Sequence, residues 1–308
     1  MVTVQGISKF KNKLPTAITI GTFDGVHIGH RQILQRLINN AKEANLNSVL
    51  VTFFPHPRMV LQKESNIKLL NTLDEKIEIL RDLGLDYIIV HPFTKEFSRL
   101  SAIEFVRDIL VNQLKAKKII IGYDHRFGRN RNANINDLIT FGNTLDFEVE
   151  EISAQEVDEV SVSSTKIRTA LEEADITTAN SYLGYAFMLT GTVQKGKGLG
   201  RQIAFPTANL KIAESYKLIP KNGVYVVRSR IDEKVYHGMM NIGFNPTVEG
   251  TEKSIEVHFF DLDQDLYDKK IKVELLHHLR DEHKFDSVEE LKLQLLKDKQ
   301  ASLAIITN

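Results

Sequence analysis

The stretch Ala17-Ile18-Thr19-Ile20-Gly21-Thr22-Phe23-Asp24-Gly25-Val26-His27-Ile28-Gly29-His30 runs from a short apolar segment straight into a glycine-spaced, histidine-bearing one. Residues 17–21 read as a strand and residues 29–44 as a helix, so the glycines fall where a strand ends and a helix opens. Ligands of open α/β sheets bind at such strand ends. Gly21 and Gly25 permit close backbone approach, and the helix start offers unpaired N–H groups and a partial positive charge to a phosphate. Phe23 and Asp24 lie inside the same turn. His27 and His30, three residues apart, share one face of the first helical turn, with Gly29 leaving room between them. Two imidazole donors placed there suit charge developing on the α-phosphate of a nucleotide.

Outward from this segment, short β-rich runs alternate with longer helical ones, the pattern of a parallel sheet covered by helices. Residues 48–53, 87–90 and 118–122 read as further strands, the last an isoleucine run suited to burial on both faces. Thr72 with Glu75, and Ser101 with Glu104, have the spacing of capping boxes and open two more helices. The first half is therefore expected to be a Rossmann-like domain with a doubly wound parallel sheet. After Tyr182 glycines become frequent and alternation replaces helical periodicity, placing a boundary between domains 1–182 and 183–308. Residues 223–231, 234–242, 254–260 and 271–279 read as strands, with Ile271, Val273 and Leu275 facing inward and Lys272 and Glu274 facing water. Strands joined by short turns imply a small antiparallel β-barrel. Ser287 and Glu290 form another capping box before a terminal helix, whose Val288, Leu291 and Leu295 share a face expected to lie on the barrel.

Composition sets the outer limits. The chain has 308 residues, 42% apolar and 26% charged, enough for two cores. Lys and Arg total 40 and Asp and Glu total 40, so no global field attracts nucleic acid or anionic lipid, and a polyanion partner is disfavoured. The absence of cysteine removes disulfides, thiolate zinc sites and thiol nucleophiles and fits a reducing compartment, so a cytoplasmic protein is expected. Neither a secretory h-region nor an apolar run approaching the roughly 20 residues needed to span a bilayer is present.

Other segments carry chemistry. Ser163-Ser164-Thr165-Lys166-Ile167-Arg168 precedes a periodic helix, and its hydroxyls, helix-end N–H groups and Arg168 make a phosphate clamp. Phe54-Pro55-His56-Pro57-Arg58 and Gly122-Tyr123-Asp124-His125-Arg126-Phe127-Gly128 each follow a strand where loops line the crevice. Phe54 and Phe127 can stack on a planar ring. In the second half Gly191, Gly196, Gly198, Gly200 and Arg201 punctuate a basic, glycine-rich stretch able to wrap phosphates with N–H groups. It does not match the P-loop, which ends in GK[ST]. In Pro206-Thr207-Ala208-Asn209, Thr207 and Asn209 project to the same side of an extended segment, where they can share a Mg²⁺ that keeps several waters.

The histidine motif followed by SSTKIR resembles the nucleotidyltransferase superfamily. His-Ile-Gly-His is also shared with class I aminoacyl-tRNA synthetases, whose KMSKS-type loop and basic anticodon-binding domain this sequence lacks. With the 54–58 and 122–128 loops, the chain resembles bacterial bifunctional riboflavin kinase/FMN adenylyltransferases (FAD synthetases). Its second half resembles the riboflavin kinase domain over its full length through Pro206 to Asn209, Asn222 to Tyr225, Gly238 to Gly243 with Asn241, and Glu256-Val257-His258. The resemblance implies phosphorylation of riboflavin by ATP to FMN, then adenylylation of FMN by ATP to FAD and pyrophosphate, with Mg²⁺. It further implies Glu256 as general base for the riboflavin 5′-hydroxyl, and a loop at Arg280 closing over flavin. His56 and Pro57 belong to its flavin-binding loops. The sequence departs from the pattern in three places: Ala133-Asn134 for an expected Gly-Asp, Asp124 where many relatives have Asn, and Ala204 for a glycine before Phe-Pro-Thr. An adenylating ligase, a flavin-binding module without turnover and an enzyme retaining one activity remain alternatives on the same residues.

Overall fold

The computed structural model describes residues 1–62, 66–123, 125–153, 162–196, 200, 203–247 and 250–307, with 245–247 and 250–252 given as backbone alone. The chain forms two compact units, Met1–Ser164 and Thr165–Asn308.

The first unit is a six-stranded, wholly parallel sheet. In chain order it contains β1 (Val2–Gln5), β2 (Thr16–Ile20), α1 (Ile28–Glu43), β3 (Asn47–Phe53), α2 (Pro57–Leu61), α3 (Leu73–Arg81), β4 (Tyr87–His91), α4 (Ala102–Glu104), β5 (Ala116–Gly122), α5 (Ile135–Leu145) and β6 (Glu148–Ile152). Spatial order is β1-β4-β3-β2-β5-β6, so the path from β2 leads first to β3 on one side and later to β5 on the other. The loops leaving β2 and β5 therefore flank the point where strand order reverses, the usual place for a ligand crevice.

Expected strands and helices stand within a residue or two of their sequence positions, and both capping boxes form. Two edge strands are additions: β1 pairs with β4 and β6 with β5. The helix opened by Ser101 makes one α turn and continues as a π-helix over Phe105–Gln113, closed by a bond from Leu114 N to Ile109 O. Its wider turn puts Phe105, Val106 and Leu110 into the core against Ile119 and Ile121 of β5.

The second unit opens with α6 (Ser164–Glu172, whose first residue closes the first unit) and α7 (Ile176–Leu183). Asn180 of α7 donates to Leu275 O and accepts from Phe187 N. Then come β7 (Met188–Gln194), β8 (Ala208–Lys211), β9 (Gly223–Ile231), β10 (Lys234–Thr247), β11 (Gly250–Phe259), β12 (Lys270–Arg280) and α8 (Val288–Thr307). The strands close an antiparallel barrel in the order β10-β11-β8-β7-β12-β9. Ile271, Val273 and Leu275 are buried, as alternation along β12 requires. Leu291, Leu295 and Ile306 of α8 pack on a cluster of Ile203, Phe205, Val224, Met239 and Phe260. Val288 does not join them: at 47% exposure on the first residue of α8 it faces water, because the helix reaches the barrel only after its first turn. The Ser287 box is half formed, since Glu290 N donates to Ser287 Oγ while the Glu290 carboxylate accepts from Asp286 N.

Candidate active sites

The loop between β2 and α1 owes its shape to an unusual run of backbone angles. Phe23, Gly25 and Val26 have φ of 47°, 86° and 38°. Glycine takes such angles without cost, but a bulky or β-branched residue held there is strained, and strain of this kind persists only where surroundings fix it. They do. Asp24, 5% exposed, accepts Leu70 N on Oδ1 at 2.9 Å, and its carbonyl accepts Ser164 Oγ at 2.9 Å. Val26 O accepts Arg31 Nε at 3.2 Å. A Cβ on Gly21 would lie 2.8 Å from the Phe23 ring, so that ring folds back over the start of the loop.

His27 is the N-cap of α1, and its Nδ1 accepts His30 N at 3.3 Å. A nitrogen that accepts leaves Nε2 to carry the proton, so the His27 donor is Nε2–H. The two imidazoles stack at 3.7 Å between centroids and 17° between planes, with Phe23 at 4.7 Å from His30. Burial pushes His27 down to about 4. It pushes His30 well below the ordinary imidazole range, with His27 and Lys76 adding to the effect. Both rings are neutral at pH 7 and bring N–H dipoles, not full charges.

Of the clamp residues, Ser164 spends its hydroxyl on Asp24 O, so it braces the histidine loop. Ser163 is half-buried, Thr165 exposed, and Arg168 half-buried one turn along α6. In the loop after β3, His56 caps α2 by accepting Arg58 N at 3.2 Å with Pro57 in the first turn, and Phe54 is half-buried. Phe127 is 8% exposed and exchanges backbone hydrogen bonds with Ala133 at 3.1 and 3.2 Å. Asn134 accepts Asn136 N and Asp137 N while Asp137 accepts Asn134 N, so Ala133-Asn134 closes the loop and caps α5. Rings run without a break along the strand tips: Phe53 to Phe97 at 5.5 Å, Phe97 to Phe105 at 6.0 Å, Phe105 to Phe127 at 6.2 Å and Phe127 to His125 at 6.3 Å. Asp124, Gly198 and Arg201 lie outside the described residues.

The barrel gathers its polar residues by register. Glu256 of β11 stands opposite Asn209 of β8 on one side and Asn241 of β10 on the other. Residues directly opposite in antiparallel strands share a face, so the three side chains form one row. Thr207 Oγ1 donates to Glu256 Oε2 at 3.2 Å, joining the row from the turn before β8. That turn is held from below by His258, whose Nδ1 lies 2.8 Å from Pro206 O and whose ring packs on Phe205 and Phe260. The glycine-rich stretch runs against the same place. A Cβ on Gly196 would sit 2.2 Å from Asn209 Nδ2, and one on Gly200 2.2 Å from Phe205 O. Gly191 lies within β7, where a Cβ would meet Lys211 O at 2.5 Å, so close strand contact explains it. A small cleft of about 90 Å³ with a mixed lining opens beside Pro206 and Thr207, bounded by Val193, Val257 and Leu266 and by the polar Gln264 and Asp265.

Arg280 is committed to the fold. Nε and Nη2 both reach the Asp298 carboxylate, at 3.0 and 2.8 Å, and Nη1 donates to Asp281 O. Asp298, on α8 and 4% exposed, also accepts Gln294 Nε2. The loop beyond is fastened by Lys221 to Asp281 at 2.8 Å, by Asn222 Nδ2 to Glu282 at 3.1 Å and by Phe244 N to Glu282 at 3.3 Å. Asp298 and Lys76 escaped the sequence reading. For Lys76 a signal existed: it lies three and four residues before Ile79 and Leu80, both buried, on one helical face.

Comparison with known proteins follows this geometry. The family model for FAD synthetase matches residues 9–166 and that for riboflavin kinase matches residues 183–306. Bifunctional riboflavin kinase/FMN adenylyltransferases from Buchnera aphidicola of Schizaphis graminum, Listeria monocytogenes and Escherichia coli K12 are 38%, 37% and 37% identical to it. These matches cover 97%, 93% and 91% of this chain and 96%, 91% and 90% of theirs. A crystal structure described as a macrolide-efflux protein from Streptococcus pneumoniae matches with a TM-score of 0.89 at 30% identity, over 98% of this chain and 99% of that one. Among the described residues no helix is long and apolar enough to cross a membrane. With both of its units matched in order and relatives aligned along nearly its whole length, this chain belongs to the bifunctional riboflavin kinase/FMN adenylyltransferase family.

Proposed function

We propose that the chain makes both flavin cofactors, with the chemistry divided between residues 1–182 and 183–308. In the second part the γ-phosphoryl of ATP passes to the 5′-hydroxyl of riboflavin, giving FMN, ADP and a proton. In the first a phosphate oxygen of FMN attacks the α-phosphorus of a second ATP, giving FAD and pyrophosphate. The observation that carries the kinase half is the row Asn209, Glu256, Asn241 with Thr207 bonded to its centre. Glu256 takes the hydroxyl proton, a light duty in phosphoryl transfer, where positioning and charge neutralisation do most. Thr207 Oγ1 orients the carboxylate that does so.

Mg²⁺ fits the donors here: Thr207 and Asn209 offer hard oxygens beside a carboxylate. Thr207 and Asn209 would hold such an ion, with nucleotide phosphates and water completing its shell. When bound, Mg²⁺ neutralises phosphate charge. Gly196 and Gly200 bring backbone against Asn209 and Phe205, which supports a phosphate-covering role for their loop; Gly198 and Arg201 belong to the same reading on sequence, whereas Gly191 serves strand packing in β7.

In the first part, His27 and His30 present neutral N–H donors to the α-phosphate at the start of α1, where Gly21, Phe23, Asp24 and Gly25 shape the turn. Ser163, Thr165 and Arg168 act on the phosphates while Ser164 holds the histidine loop through Asp24 O, and the loops of Phe54, His56 and Pro57 and of Asp124 and Phe127 take the flavin ring. Arg280 serves flavin by holding its loop. Zero net charge and the lack of cysteine support small-molecule partners in the cytoplasm.

Time-resolved chromatography of flavins after mixing the protein with riboflavin, ATP and Mg²⁺ tests the reading. FMN appearing first and FAD later is the expected result. Riboflavin and added FMN both left unchanged by folded protein would overturn it.

A further inference from the structure

The paired imidazoles bring no full charge to a loop that, on the adenylyl-transfer reading, receives a triphosphate. A full charge stands behind them on α3. Lys76 is 7% exposed, and its Nζ donates to Thr22 O at 3.0 Å and to Thr52 Oγ1 at 3.3 Å. Thr52 Oγ1, at the end of β3, donates to the same Thr22 O at 3.2 Å. Two donors thus converge on the carbonyl from which the chain enters its left-handed path through Phe23, Gly25 and Val26. An apolar side chain of similar length would fill this space without desolvating an ammonium, so burial of a lysine here is not explained by packing.

We infer that Lys76 is a positioning residue for adenylyl transfer: its ammonium turns the Thr22 carbonyl inward, which sets the strained loop, and it lays a fixed positive charge beneath the histidine pair. The inference rests on the adenylyl-transfer reading of that pair. The groups around the charge agree with it. Asp24 from the loop favours the ammonium, while on α1 His30, stacked on His27, is disfavoured as a cation by Lys76. Burial lowers Lys76 to about 8, with Asp24 opposing, so the group stays largely charged at pH 7. The arrangement keeps the imidazoles neutral and concentrates the positive charge where no proton has to be exchanged during reaction.

The test compares Lys76→Met with Thr52→Val in the full chain, measuring conversion of added FMN to FAD, riboflavin phosphorylation by the same preparation, and histidine C2–H NMR titration. Lys76→Met is expected to lower kcat for FAD formation at least about 30-fold while the kinase activity stays within about two-fold. Thr52→Val, which removes two hydrogen bonds and keeps the charge, is expected to cost about three-fold. The His30 resonance, identified by its loss in His30→Gln, should titrate at higher pH in Lys76→Met than in the unaltered protein. Equal losses in the two variants, or an unmoved His30 titration, would make Lys76 a packing residue and overturn the inference. If Lys76→Met does not fold, Lys76→Gln keeps a donor without charge and carries the same expectation; full FAD formation in it overturns the inference. Absence of FAD formation in the unaltered protein would instead sink the proposed function, and the NMR comparison would still report on Lys76.

Discussion

The histidine loop of the first unit and the glutamate row of the second differ in how they are put together. From Gly21 to His30 one continuous segment supplies the loop, stiffened by left-handed backbone and by carbonyls tied down from α3, α1 and Ser164. The row is assembled by pairing: Thr207 and Glu256, in contact, are 49 residues apart in sequence, and Asn241 comes from a third segment. A contiguous site depends on local conformation and burial. An assembled one depends on closure of the whole barrel, so damage far from it reaches it.

The largest effects should separate the two sites. Glu256→Gln is expected to reduce riboflavin phosphorylation about a thousand-fold while added FMN is still adenylylated, and His30→Ala to do the reverse by about a hundred-fold or more. Assay of both steps on each variant checks this, and loss of both in a folded variant would break the division. Next comes the dependence of the assembled site on the barrel. Asp298→Ala leaves the Arg280 guanidinium without its carboxylate, which should destabilise the second unit by about 3 kcal/mol in urea denaturation and raise KM for riboflavin, with FMN adenylylation little changed.

The contiguous site should show its burial in acid. Burial holds His27 at about 4 in the folded protein, against an ordinary imidazole value of 6.5. Between these values the unfolded chain takes up a proton that the folded one refuses, so stability falls as pH drops from 6.5 to about 4 and levels below. The contribution is about 3 kcal/mol, and His27→Gln should flatten the curve of denaturation midpoint against pH in that window. The smallest effect sits beside the row. Ala204 has φ 63°, the left-handed region, where the family resemblance leads to glycine. Ala204→Gly should raise stability by about 0.5–1 kcal/mol, relief of strain outweighing the added freedom of the unfolded chain.

Much of this was legible in the residues, and the contrast between sites explains what was not. The strand, turn and helix around Gly21 to His30 are written in consecutive residues, as are the capping boxes at Thr72 and Ser101. The strained angles at Phe23 and Val26 are not, because neither residue type favours them; tertiary bonds impose them. The edge strands β1 and β6 escaped because they are short and half-polar, as in Glu148-Val149-Glu150-Glu151-Ile152, and owe their conformation to a neighbour. Periodicity put Val288 on the packed face, but it says nothing about where along its length a helix first meets the barrel. Register is likewise invisible: the motifs holding Asn209, Asn241 and Glu256 were recognisable, whereas their alignment in one row follows from barrel closure. Arg280 shows the opposite limit. A guanidinium in a flavin-associated loop looked like a ligand, and its partner, Asp298, sits on a helix whose polar residues gave no reason to expect a buried carboxylate.

The unbroken file of rings from Phe53 to His125 bears on how the first unit yields to a guest. Side chains at crystal-like density compress little, so a displacement at one end of such a file is passed along it. The tip of β3, the segment following β4 and the loop after β5 therefore form one wall, joined through the mutual backbone hydrogen bonds of Phe127 and Ala133 to the cap of α5. Pressure on residues 54–58 should reach residues 125–128 along this file, and the amides of both should exchange with solvent in step.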